Sequence, residues 1–259
     1  MESKLRLDIL PQPDDATCGP TCLQAVYRYH GDDITLEQVI DQVRILEGGG
    51  TLEVLLACHA LKRGYRATIY TYNLQIFDPC WFDGPHVNLA AKLQAQLTGK
   101  RRRKLAVATE AYLEYLRLGG RIRFHDLNSG LIRKYLKRGI PILCGLSATY
   151  LYHCPREIQP RPDHPGMEYD DIHGSPTGHF VVLCGYDRET RQALVADPLR
   201  QNPLGAGGHY YEVGLDRLVG AILLGIMTYD GNLLLLEPAM AAERPAAKPP
   251  AGPLSRNNP

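Results

Sequence analysis

The chain has 259 residues, which suits one large domain or two small ones, and it is 44% hydrophobic and 22% charged. That is the composition of a globular protein with a sizeable core, and a net charge of +1 gives no electrostatic case for a nucleic-acid or membrane partner. No segment reaches the roughly 18 uncharged apolar residues of a membrane span, the first residues, MESKLRLDIL, do not read as a signal peptide, and the seven cysteines follow no disulfide spacing, so the expectation is a cytoplasmic protein with reduced thiols and no membrane span.

In chain order, the first half reads as helices. CGPTCLQAVYRYHG has Pro20 near its start, where a missing N–H costs nothing, and Gly31 at its stop. ITLEQVIDQVRI has Thr35 as N-cap and Gln38 three residues on, a capping box. TLEVLLACHALKRGY places Thr51 as N-cap and Gly64 as terminator. RATIYTY is β-branched and aromatic and reads as a strand. Residues 86–118 read as two helices broken near Thr98 and Gly99.

The second half turns to strands. RIRFHDL is one, NSGLIRKYLKRG a short helix capped by Asn128 or Ser129, and IPILCGLSA an apolar strand. GHFVVLCGYD, RQALVADP, GHYYEVGL, AILLGIMTYD and GNLLLLEP follow as further strands, with turns such as DRET and DG between several of them. Helices first and antiparallel strands after predict an α+β fold, a helical half packed on a sheet half with a cleft between them. The organised domain is expected over 1–236, with 237–259 a disordered Pro/Ala-rich tail.

One constellation carries chemistry. A thiol attacks as the thiolate, and a helix N-terminus or a neighbouring imidazolium brings a cysteine pKa down to roughly 3.5–7.5. Cys18 follows DDAT and opens a helix, so its sulfur faces unpaired N–H groups and the positive end of the helix dipole. Among nine histidines, His179 has the right setting, at the start of an apolar strand just after a glycine. Asp197 ends the next strand in VADP. If the two strands pair antiparallel through DRET, His179 and Asp197 become neighbours, and the carboxylate can orient the ring. Gln12 offers a side-chain amide N–H to an oxyanion, with the Cys18 backbone N–H as second donor.

Q-x5-C-G-P opening a helix, then G-H-F-V-V-L-x-G-Y-D, then A-D-P, resembles the bacteriocin-processing, double-glycine peptidases, family thirty-nine of the cysteine peptidases within the papain-like clan. The resemblance spans about Leu10 to Leu199. It implies a papain-like fold and peptide-bond cleavage with no cofactor or metal. By resemblance Cys18 is the nucleophile, His179 the general base and acid, Asp197 the orienting residue and Gln12 the oxyanion donor, and the partner is a peptide or peptide-like substrate. Residues 86–118 and 150–177 depart from the family pattern as insertions, the second a polar loop expected to cover substrate. No nucleotide-binding motif accompanies them, so a leader-peptide substrate does not follow.

Rival readings remain open at this point. Cys22 lies one turn beyond Cys18 on the same helix face and reads as core, or as a redox partner for Cys18. Asp187 competes with Asp197 but sits at the far end of the His179 strand and reads as a hairpin residue. The loop holding His153, Cys154, Asp163, His164, Asp170, Asp171 and His173 matches no zinc spacing. GKRRRK, residues 99–104, reads as a solvated break between helices. The same triad also serves a transpeptidase or acyltransferase, and an inactive peptide-binding module keeps the same fold.

Overall fold

The structure is a computed structural model that describes residues 2–46, 49–84, 87–99, 103–158 and 168–239. Its centre is a mixed sheet whose strands are β1 (Ser3–Lys4), β2 (Tyr65–Thr71), β3 (Arg121–Arg123), β4 (Ile142–Ser147), β7 (Gly178–Asp187), β8 (Gln192–Ala196), β9 (Tyr210–Gly214) and β10 (Asn232–Pro238). The order across the sheet is β3-β2-β10-β4-β7-β8-β9, with β1 beside β7 beyond the end of β4. All pairs are antiparallel except β2 with β3. A separate two-stranded ribbon joins β5 (Glu157–Ile158) to β6 (Glu168–Tyr169).

The architecture is α+β, with both faces of the sheet covered. On one face lie α1 (Cys18–Tyr29), α2 (Leu36–Gln42), α3 (Glu53–Lys62), α4 (Leu89–Gly99) and α5 (Arg103–Arg117). The other carries α6 (Ser129–Leu136), α7 (Ala148–Tyr152) and α8 (Leu215–Leu224). Strand alternation divides the core between them: Phe180, Val182 and Cys184 of β7 face the first layer, Val181 and Leu183 the second. Burial on both faces is why β4, β7 and β10 read as near-continuous apolar runs rather than as alternating strands.

Local signals place the helices. The capping box at α2 is fully formed, with Thr35 Oγ1 accepting from Gln38 N–H and Gln38 Oε1 from Thr35 N–H. Asn128 caps α6 by accepting the Leu131 N–H at 3.1 Å. Gly31 and Gly64 take φ of +77° and +89° just beyond α1 and α3, where a β-carbon would be strained.

Several expectations change. AILLGIMTYD is not a strand; it is the end of α8 and a 3-10 turn over Gly225–Thr228. Leu215, Leu218, Ala221 and Ile222 bury at helical spacing, a period that shows only when LDRL is taken with the apolar run. Thr51 does not cap α3: Leu52 holds the N-cap position, and the Thr51 hydroxyl donates instead to the Arg44 carbonyl at 3.0 Å. RIRFHDL keeps only three residues in β3. The expected α+β packing of helices on a mostly antiparallel sheet holds, with α6, α7 and α8 added on the second face. Strand β10 includes Glu237 and Pro238, two residues past the expected domain end; the tail from 240 onward lies outside the described residues.

Candidate active site

Three elements meet at the site. Cys18 is the first residue of α1, whose N-cap, Thr17, makes no side-chain capping bond. Pro20 brings no N–H to that first turn, so the donors available at the helix start are those of Cys18 and Gly19. The preceding loop is fixed by its own polar groups: Asp14 Oδ1 accepts the Ala16 N–H at 2.8 Å, and the Thr17 hydroxyl donates to the Asp14 carbonyl. Helix α1 sits unusually close to its neighbours at Gly19, where a β-carbon would lie 2.7 Å from Thr51 Cγ2 and 3.2 Å from both Leu56 Cδ1 and Phe180 Cδ2. Glycine there lets the helix start reach the strand that carries His179.

His179 is the second residue of β7 and lies opposite Leu146 of β4. Gly178 before it packs against Thr228, with no room for a side chain. Strands β7 and β8 pair antiparallel, Val182 opposite Ala196, which brings Asp197 to the His179 end of β7. The His179 Nε2 lies 2.9 Å from Asp197 Oδ1. Cys18 also acts on the imidazole and favours its charged form. All three side chains are buried.

Charge reinforces that geometry. Burial alone would lower the His179 pKa, but the Asp197 charge and hydrogen bond, together with Cys18, outweigh it and push the imidazole up to about 10. Burial alone would raise the Asp197 carboxyl, but the His179 charge and the hydrogen bonds it accepts hold it below the ordinary value. The resting pair is therefore imidazolium and carboxylate.

The sequence reading missed most of what holds Asp197. Its Oδ1 also accepts the Leu199 N–H at 2.9 Å, and its Oδ2 accepts from Tyr152 Oη at 2.6 Å and Tyr211 Oη at 2.7 Å. The Tyr152 ring also lies 6.0 Å from the imidazole, centroid to centroid. Tyr211 carried one signal, since Tyr211 and Val213 bury at a period of two along β9. Tyr152 carried none, because it lies in a stretch that reads as a polar insertion.

Gln12 is tied to the site through its backbone, and no hydrogen bond between it and the other three is found. Its backbone N–H donates to the Pro198 carbonyl at 2.9 Å, tying its loop to the residue after Asp197. One side-chain N–H donates to the Asp14 carbonyl at 2.8 Å; the amide carries a second. Asp187 serves as the hairpin residue expected of it, accepting from the Glu189 and Thr190 N–H groups. Cys22 is fully buried, its thiol donates to the Phe180 carbonyl at 3.2 Å, and burial first and Cys18 second hold its pKa well above the ordinary value. All seven cysteines are free thiols.

Among the described residues no group of three or more His, Cys, Asp or Glu side chains is arranged to hold a metal ion. His173 pairs with Asp170 at 3.0 Å, while Asp163 and His164 lie outside the described residues, as do residues 100–102 of the basic run. No described helix is long and apolar enough to cross a membrane.

Residues 113–212 match the sequence profile of the Peptidase_C39 like family. The matched segment holds His179 and Asp197 and both tyrosines, whereas Cys18 and Gln12 precede it. Solved structures similar to this chain include the peptidase domain of Streptococcus ComA, a bi-functional ABC transporter, at 14% identity and a TM-score of 0.42, covering 90% of this chain and 100% of that one. A double glycine motif protease from an AMS/PCAT transporter, in complex with the leader peptide, shares 13% identity over 92% of this chain and 95% of that one, with a TM-score of 0.42. Xylellain, a cysteine protease from Xylella fastidiosa, shares 13% identity over 92% and 86% of the two chains, also at 0.42. No curated protein matches this chain.

Proposed function

We propose that this chain is a cysteine peptidase or amide hydrolase acting on a peptide or isopeptide bond. Cys18 is the nucleophile, His179 the general base and acid, Asp197 the orienting carboxylate, and Gln12 with the Cys18 backbone N–H the oxyanion donors. The observation that carries this reading is the buried His179–Asp197 pair, which also feels Cys18 at the uncapped head of α1.

A cysteine attacks as its thiolate, and a helix start or a neighbouring imidazolium is the kind of setting that supplies one. The thiolate attacks the scissile carbonyl carbon, and the carbonyl π pair moves to oxygen, where the donors receive it. His179 gives its proton to the leaving amine as the C–N bond breaks, which leaves a thioester on Cys18 and a neutral imidazole. His179 then takes a proton from water, and the resulting hydroxide attacks the thioester carbonyl. Collapse of that second tetrahedral centre breaks the C–S bond, frees the acid and restores the thiolate–imidazolium pair. Removing one donor from an oxyanion typically costs ~2.7–4 kcal/mol in the transition state, which sets the scale for Gln12.

Brief exposure to iodoacetamide at pH 6, followed by intact-mass analysis of the wild type and Cys18→Ala, tests the reading. An ordinary thiol is only about 0.3% thiolate at that pH. The expected result is one fast addition that the substitution abolishes. Slow and unselective addition, equal in both proteins, would leave Cys18 without the reactivity this chemistry needs.

A further inference from the structure

The chemistry just described makes no use of Tyr152 or Tyr211, yet both hydroxyls converge on one oxygen atom. Asp197 Oδ2 accepts from both, at 2.6 and 2.7 Å, while Oδ1 serves His179 and the Leu199 N–H. The donors come from separate elements, α7 and β9, and both rings are buried. Burial first and the Asp197 charge second raise both phenols far above their ordinary range, so each remains an O–H donor at any working pH.

A carboxylate with 0% exposure has lost its water and stays ionised only if protein donors replace it. His179 alone cannot supply them, because its one N–H on that side reaches only Oδ1. The thiol of Cys22 in α1 also feels the Asp197 charge, but it donates to the Phe180 carbonyl. The groups facing the carboxylate are therefore His179 from β7, Tyr152 from α7, Tyr211 from β9 and the Leu199 N–H, with Cys22 from α1 nearby. We propose that Tyr152 and Tyr211 are positioning residues that together keep Asp197 ionised and turn its other oxygen, Oδ1, towards His179. The catalytic consequence rests on the triad reading above; the clamp itself does not.

Tyr152 also links the clamp to the polar stretch that follows it. It ends α7, whose Ala148 N–H bonds the Thr177 carbonyl at 2.9 Å and whose Thr149 hydroxyl accepts the Thr177 N–H at 3.0 Å. One half of the clamp therefore comes from the helix that opens this stretch.

The test compares wild type, Tyr152→Phe, Tyr211→Phe and the double variant as full chains. Two readouts are taken from pH 3 to 9: the rate of Cys18 alkylation by iodoacetamide, and the imidazole signals of His179 by nitrogen-15 NMR. Loss of both donors should move the acid limb of both profiles upward by about one to two pH units. The alkylation ratio of wild type to double variant should be clearly larger at pH 4 than at pH 8. In an Asp197→Asn background the same Tyr→Phe changes should move nothing, since the amide does not titrate. Superimposable profiles for wild type and double variant, with only a lower melting temperature, would overturn the proposal and leave the tyrosines as packing. A wild-type Cys18 no faster than a free thiol, alongside an NMR inflection that does move, would uphold the clamp and refute the peptidase reading. If the double variant does not fold, the two single variants carry the test, each expected to shift by about half as much.

Discussion

Asp230→Asn should flatten the pH dependence of folding between about pH 4 and 7. Asp230 is 7% exposed and its Oδ1 accepts the Glu53 N–H at 3.0 Å, at the head of α3. Burial pushes its carboxyl up from 3.8 to about 7, partly offset by that N–H and by Lys104. The folded state thus holds this proton more tightly than the unfolded chain. The stability it contributes is fully present below about pH 3.8, is lost as pH rises, and levels off above about pH 7. At 1.36 kcal/mol per unit the loss is about 4 kcal/mol, or roughly 8–16 °C in melting temperature for a domain of this size. Asparagine keeps an oxygen for the Glu53 N–H and does not ionise. Thermal and urea unfolding followed by circular dichroism at pH 4, 5, 6, 7 and 8, read as wild type minus variant, cancels the titrating groups that do not feel Asp230 and leaves Asp230 with Glu53, whose carboxyl its charge raises. Parallel slopes in the two proteins would show that Asp230 ionises at its ordinary value and would refute the argument from burial.

Two further substitutions separate packing from chemistry. Cys22→Ala removes a buried thiol and its hydrogen bond to the Phe180 carbonyl, so it should lower stability by about 1–2 kcal/mol in urea unfolding while fast alkylation of Cys18 persists; loss of alkylation with stability intact would mean that Cys22 is the reactive thiol. Gly19→Ala sets a methyl 2.7 Å from Thr51 Cγ2 and should cost about 1–3 kcal/mol and slow Cys18 alkylation. Adding Thr51→Ser removes the clashing methyl and keeps the hydroxyl, so the double variant should recover most of both losses; no recovery would show that the close approach of α1 is not what positions Cys18.

What was legible in the sequence was what local chemistry decides. Thr35 and Gln38 specify their capping box within four residues, and the Asp187 turn fixes the β7–β8 pairing that brings Asp197 to His179. Cys18 could be placed at a helix start because Gly19 and Pro20 follow it. What failed needed tertiary information. Thr51 satisfies the rule for an N-cap, but its hydroxyl finds the Arg44 carbonyl across a loop and the helix starts one residue later than expected. The apolar end of α8 looks like a strand because its helical period begins upstream, at Leu215 and Leu218. Tyr152 has no local signature at all: its hydroxyl matters only through Asp197, 45 positions away.

Asp197 and Asp230 show why donor count, rather than burial, decides what a buried carboxyl becomes. Asp197 is the more completely buried of the two, yet its carboxyl is held below the ordinary value, because its oxygens accept four hydrogen bonds and one donor is an imidazolium. Asp230 has the Glu53 N–H and the charge of Lys104, and rises to about 7. Beside it, the Glu53 carboxyl lies near the Gly145 and Leu234 N–H groups without forming a normal hydrogen bond to either, and burial with the Asp230 charge holds it well above the ordinary value. The same fold therefore keeps Asp197 charged beside an imidazolium and lets Glu53 and Asp230, which have fewer donors, hold their protons more tightly. Removing the tyrosine donors from Asp197 should move it towards the behaviour of Asp230, which is why the two experiments, read together, test one physical rule at two places in the fold.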